Sequence, residues 1–234
     1  MYQPVMSSVR SRYGNNRWIV DSTKLGRTVQ LNSDLEYYYW ILIESDPQVA
    51  RYCEQPLRIT VREGNREYGS VFDFWEEYRN GFQRFVEVKY AEEIDPESPR
   101  RLERSIRQIR LQREWCAVHG FNYAVVTDAE IFHNVVLLQN KKRIVSLARD
   151  MVSVSARNRV RSQLSTQPMS IRGLMDRIPG LSALEAMTIV AQLLCRGEAE
   201  GDLARREFGL DTDIWLPCAS GPKDCYPDGG RLTP

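Results

Sequence analysis

Three residues stand out for the chemistry they could do together: Asp73 in Val71-Phe72-Asp73-Phe74, and Glu87 and Lys89 in Phe85-Val86-Glu87-Val88-Lys89. Side chains alternate along a strand, so Glu87 and Lys89 share one face while Val86 and Val88 take the other. Between the two segments lies Arg79-Asn80-Gly81. If this is a three-residue hairpin loop with Gly81 left-handed, Tyr78 pairs with Phe82 and Asp73 falls opposite Glu87. Cross-strand partners carry their Cβ atoms roughly 5 Å apart. Two carboxylates and an ammonium then converge on one point of a sheet. Such a cluster suits phosphodiester hydrolysis. Asp73 and Glu87 would hold Mg²⁺, a hard cation that prefers oxygen, with Mn²⁺ able to substitute and the Val88 carbonyl as a further ligand. The metal would polarise a phosphoryl oxygen and ease ionisation of a bound water. Lys89 would position that water or stabilise charge in the transition state. An ordinary cross-strand ion pair is the bland alternative. Against it stand Phe72, Phe74, Phe85 and Val86, apolar neighbours that make buried carboxylates costly unless something compensates.

The surrounding pattern supplies elements to carry these residues. Ser33 and Glu36 form a capping box, and Leu35, Tyr39, Leu42 and Ile43 follow at helical spacing up to Asp46-Pro47. Leu57, Ile59 and Val61 alternate with polar residues and predict a strand. Gly64-Asn65 turns the chain; Tyr68 to Tyr78 reads as a second strand and Phe82 to Tyr90 as a third. From Pro99 the period is helical through Leu102, Ile106, Ile109 and Trp115-Cys116, and His119-Gly120 stops it. Gln108 and Arg110 on this helix could touch a nucleic acid. Phe121 to Thr127 is a buried strand, reached by a right-handed crossover. The order αβββαβ predicts an α/β fold, a mixed sheet covered by helices, over residues 31–161. Residues 1–30 read as a basic arm punctuated by Tyr13 and Trp18. Residues 162–168 read as a linker, and 169–216 as two helices and a small hairpin, a winged-helix-like α+β unit. Its second helix, Leu181 to Arg196, holds one basic residue, which favours docking to protein over reading DNA. The tail, 217–234, is poor in core residues and expected to be disordered.

Net charge is +1 over 234 residues, but it is uneven. Arg10, Arg12, Arg17, Lys24 and Arg27 face only Asp21, and a second basic stretch runs from Lys141 to Arg161. A near-neutral chain should bind DNA weakly alone, because non-specific affinity comes largely from released counterions. Five cysteines without a CxxC pair, and His119 and His133 without partners, do not make a zinc site. Reduced thiols and the lack of an 18-residue apolar run point to a soluble cytoplasmic protein.

Taken in order, Ser33-Asp34-Leu35-Glu36, Asp46-Pro47-Gln48-Val49, Gln55-Pro56, Phe72-Asp73-Phe74, Phe85-Val86-Glu87-Val88-Lys89 and Val126-Thr127-Asp128 resemble the PD-(D/E)xK nuclease superfamily. Within it the chain is similar to TnsA-like endonuclease subunits of heteromeric, Tn7-like bacterial transposases, over roughly residues 25–135. The resemblance implies a restriction-endonuclease-like core and a catalytic set of Glu36, Asp73, Glu87 and Lys89, with Glu36 joining the metal ligands. Phe72 stands where the superfamily usually has proline, and the third position, which can be Gln, is Glu87. Glu44, eight residues after Glu36 near the same helix face, is a rival for the helix acid. The resemblance further implies nicking of the 5′, non-transferred strands at transposon ends. It implies as partners double-stranded DNA, a TnsB-like recombinase and a TnsC-like ATPase. A stand-alone restriction or repair nuclease, and a catalytically idle DNA-binding adaptor, are the alternatives.

Overall fold

The computed structural model describes residues 2–5 and 16–218. The stretch read as a basic arm folds, from Trp18 onward, into a hairpin of β1 (Trp18–Ser22) and β2 (Arg27–Leu31), turned at Gly26 with φ +64°. Val20, Val29 and Leu31 point into the core. The apolar positions here keep no sustained period across the turn; burial against the next helix makes Val20, Val29 and Leu31 a strand face. Arg10, Arg12 and Tyr13 lie outside the described residues.

Helix α1 (Asp34–Ser45) starts where the cap places it, with the Ser33 hydroxyl accepting from the Glu36 amide at 3.1 Å. It is buried on almost every side through Leu35, Tyr37, Tyr39, Trp40, Ile41 and Ile43. The strands that follow are β3 (Val49–Glu54), β4 (Arg58–Glu63), β5 (Arg66–Val71), β6 (Phe74–Tyr78) and β7 (Gln83–Lys89). Then come α2 (Ala91–Ile94), α3 (Glu103–His119), β8 (Asn122–Thr127), α4 (Asp128–Ile131) and α5 (Val135–Leu147). The main sheet has the order β3-β6-β7-β8, antiparallel except for the β7–β8 pair, which is parallel because α3 carries the chain back across the sheet. This is a mixed α/β sheet, as expected, but the meander is not the one the alternation suggested. The segment 68–78 breaks at Phe72-Asp73 into β5 and β6, and β4 pairs with β5 in a ribbon of its own. The main sheet is completed instead by β3, whose sequence Val-Ala-Arg-Tyr-Cys-Glu shows no clean alternation. Its charges find partners that sequence distance hides, Arg51 with Glu77 and Glu54 with Arg27 at 2.6 Å.

The rest of the described chain is α6 (Val154–Gln163), β9 (Met169–Ser170), α7 (Ile171–Arg177), α8 (Ala183–Arg196), β10 (Glu200–Gly201) and β11 (Asp213–Trp215). The three short strands form one sheet in the order β10-β11-β9. Ala156, Val160 and Leu164 share a core with α7, α8, Phe208 and Ile214, so α6 and the start of the expected linker pack with the C-terminal elements. Ile144 and Ala148, at the end of α5, enter the same core. Every residue of α8 from Ala186 to Leu194 is buried, because α5 covers the face that the C-terminal helices leave open. The loop between β10 and β11 is pinned to α5 as well. The Asn140 amide donates to the carbonyls of Leu203 (2.8 Å) and Arg206 (2.7 Å) and accepts from the Phe208 amide (2.7 Å). Beyond Cys218 the expected tail lies outside the described residues. No helix among the described residues is long and apolar enough to cross a membrane.

Candidate active site

The hairpin that sets the site has the anticipated register. Phe74 pairs with Val86 and Glu77 with Gln83, the Tyr78 amide donates to the Phe82 carbonyl at 2.8 Å, and Gly81 is left-handed with φ +83°. Asp73 sits just past the last rung, where β6 begins. Its carboxylate turns along the strand and accepts from the Val88 amide at 2.8 Å. Val88 thus contributes a backbone donor to Asp73. Glu87 is completely buried, with Lys89 Nζ 2.6 Å from its Oε1.

Glu87 is held by two glutamines from α3. Gln108 Nε2 donates to Oε1 at 2.6 Å and Gln112 Nε2 to Oε2 at 2.8 Å. Gln112, fully buried, also donates to Ser70 Oγ at 3.0 Å and accepts from the Tyr123 hydroxyl at 2.7 Å. The sequence pattern offers Gln108 only as a possible nucleic-acid contact and assigns nothing to Gln112 or Tyr123. A signal existed: two glutamines one turn apart on the face that buries Ser105, Ile109 and Cys116 are polar groups demanding partners. Arg110, by contrast, pairs with Glu63 and Glu114 away from the cleft, and His119 stacks on Trp115.

The structure separates the two candidate helix acids. Glu36 lines the same cleft as Asp73 and Lys89, its Oε2 accepting from the Asn32 amide (2.9 Å) and from Gln55 Nε2 (3.2 Å). Glu44 faces away. It is locked by the hydroxyls of Ser22 (2.7 Å), Thr23 (3.1 Å) and Tyr52 (2.7 Å) and by the Lys24 amide (3.1 Å), tying the β1–β2 hairpin to α1. Gln55 belongs to the site too. It has φ +38°, a left-handed backbone rare for a non-glycine and more so before proline. Its amide donates to the Asp73 carbonyl at 2.8 Å. Strain of this kind persists where surrounding structure over-determines it.

Three carboxylates therefore share one ammonium in a poorly solvated place. Burial, and then the Asp73 charge, push Glu36 and Glu87 each up to about 8. Burial raises Asp73 also, opposed by Lys89 and the Val88 amide. Burial works against the charge of Lys89, yet Glu87 and Asp73 hold it above its usual range. The cleft has a volume of about 520 Å³ and is bordered by Asn16, Asp34, Tyr90, Arg104 and Gln108. Oxygen donors with an excess of negative charge fit a hard divalent cation. Among the described residues no three His, Cys, Asp or Glu side chains are already gathered as a ligand set, since Glu87 is drawn to Lys89 and the glutamines, and Glu36 to Asn32 and Gln55.

Comparison with known families gives a match to part of the chain. Residues 46–128 match the family described as TnsA-like endonuclease N terminal. The matched stretch contains Asp73, Glu87, Lys89, Gln108 and Gln112; Glu36 precedes it. Comparison with curated proteins gave no match. Across residues 46–128, then, this chain is similar to the TnsA-like endonuclease N-terminal domain.

Proposed function

We propose that the protein is the metal-dependent endonuclease subunit of a transposase, nicking the 5′, non-transferred strand at transposon ends. The observation that carries this reading is that Glu36, Asp73 and Lys89 line one cleft with buried Glu87 behind Lys89, so that three carboxylates stand beside a single ammonium. Asp73, Glu87, the Val88 carbonyl and Glu36 would hold Mg²⁺, or Mn²⁺ in its place. When bound, the ion supplies Lewis-acid polarisation of the phosphoryl oxygen and a more acidic water. The chain's own groups do the rest. Gln108 and Gln112 fix the Glu87 carboxylate, the Val88 amide fixes Asp73, and Lys89 offers a proton donor and a positive charge to the scissile phosphate. Gln55 holds Glu36 on the far side.

The order α6, β9, α7, α8, β10, β11 supports reading the C-terminal unit as winged-helix-like. A reader of that class places its second motif helix in the major groove. Here that helix would be α8, which is buried through its middle, and the loop that would serve as a wing is pinned by Asn140. Both features support a buttressing and protein-docking role, for which the resemblance implies a TnsC-like ATPase.

The test is strand cleavage of a labelled transposon-end duplex with Mg²⁺, with and without the partner recombinase. Cutting of the 5′ strand only in the partner's presence is the expected result. Cutting by the lone chain would favour a stand-alone nuclease, and no cutting in an assembly competent for the other strand would leave an idle adaptor. The two helix acids give a second prediction. Glu36→Gln should lower cleavage about 100-fold or more, in the range for losing one electrostatic group of an active site. Glu44→Gln should retain cleavage but weaken four hydrogen bonds to a buried charge, costing about 2 kcal/mol or more in thermal or urea melts. Inactivity of a well-folded Glu44→Gln would reverse the assignment.

A further inference from the structure

The β4–β5 ribbon has no role in the sheet. Among the described residues its strands pair only with each other, from Arg58↔Val71 to Glu63↔Arg66, and a lone two-stranded hairpin is marginal in water. Its inner face is secured on α3. Ser70 accepts from Gln112, the Arg107 guanidinium lies 5.2 Å from the Tyr68 ring centre, and Glu63 pairs with Arg110. Its outer face is exposed and carries Arg58, Thr60 and Arg62, with Gly69 and Glu67 across from the last two. Arg66 is exposed at the turn.

Two observations give this ribbon a partner. The first is position. It springs from the site itself, leaving after Gln55 and returning at Asp73, with its base closed by the Phe72 amide on the Leu57 carbonyl at 3.3 Å. Six residues per strand reach roughly 20 Å outward. The second is Gly69. Its φ is ordinary, it is exposed, and a Cβ built there would meet only the Ile59 carbonyl, at 4.0 Å. The fold does not require glycine at a position where glycine weakens a strand. A glycine of this kind marks close approach by something outside.

We propose that the outer face of this ribbon is a DNA-contacting arm, with Arg58 and Arg62 on backbone phosphates and the bare backbone at Gly69 admitting the duplex. A two-stranded ribbon fits the major groove, and roughly 20 Å covers about six base pairs at 3.4 Å each. The proposal rests on the nuclease reading for the identity of the polyanion, and it supplies the DNA contact that buried α8 does not.

The test measures binding of the full chain to a fluorescent transposon-end duplex and to an unrelated duplex, without divalent metal, over a series of salt concentrations. Arg58→Ala/Arg62→Ala should weaken both alike and reduce the slope of log K against log salt by about 2. Gly69→Val should leave the melting temperature unchanged or raised, since β-branched residues favour strands, and should lower affinity about tenfold. Wild-type affinity and slope in both variants would overturn the proposal. So would lack of binding by the wild type at low salt, or loss of only a protein partner. Cleavage separates this inference from the one before. Ribbon variants that bind and cut like wild type refute the arm alone; ribbon variants that fail to bind, beside a wild type that binds yet never cuts in the full assembly, refute the nuclease and leave the arm standing.

Discussion

Asp73→Asn is expected to abolish cleavage and, at the same time, to raise the melting temperature of the metal-free protein. Asparagine keeps the shape and can still accept from the Val88 amide, so the hairpin is undisturbed. What it removes is the charge that lifts both neighbours. Glu36 and Glu87 stand at about 8 in the folded protein against an ordinary 4.5, with burial the first cause and Asp73 the second. The folded state therefore binds more protons than the unfolded state between those values. The sign follows from linkage: stability is greatest below the ordinary carboxylate range and falls as pH rises through about 8. Neutralising Asp73 should flatten that fall, with a gain of a few degrees at the alkaline end, at about 2–4 °C per kcal/mol for a chain of this size. Mg²⁺ added to wild type should flatten it likewise. Cleavage should drop by about 1,000-fold or more, as for other losses of a central electrostatic group. Thermal melts at both ends of the pH window, beside a cleavage assay, check both halves. A variant that melts lower than wild type at alkaline pH would show that the three carboxylates do not repel one another.

The largest structural loss is expected from Asn140→Ala. Asn140 is 3% exposed and makes three hydrogen bonds to the 203–208 backbone. Alanine leaves the buried Phe208 amide without its partner, at about 1–3 kcal/mol, and removes the bonds to the less buried Leu203 and Arg206 carbonyls, at about 1 kcal/mol each. It also loosens Phe208, which is fully buried in the core shared by α5 and α8. A total of about 3–5 kcal/mol lowers the melting temperature on the order of 10 °C. Limited proteolysis should then cut within 202–212 before it cuts the main sheet. A loss below about 1 kcal/mol would mean that the loop is held by its own strands, not by α5.

Much of the site was written locally. Alternation in 85–89, a three-residue loop ending in Gly81 and a capping serine three residues before Glu36 fixed the register, the shared face of Glu87 and Lys89, and the helix start, because each depends on neighbours within a few bonds. The choice between Glu36 and Glu44 was not local. Both lie on α1, and only the packing of β1–β2, which hands Glu44 the hydroxyls of Ser22 and Thr23, decides which acid faces Asp73. The same holds for β3, whose charges are neutralised from β2 and β6, and for Gln112, whose partners come from β5, β7 and β8. The exposure of the β4–β5 ribbon and the burial of α8 are likewise tertiary facts. Amphipathic pattern shows that a face must be covered, but only the assembled chain determines which element covers it and which face stays open to solvent.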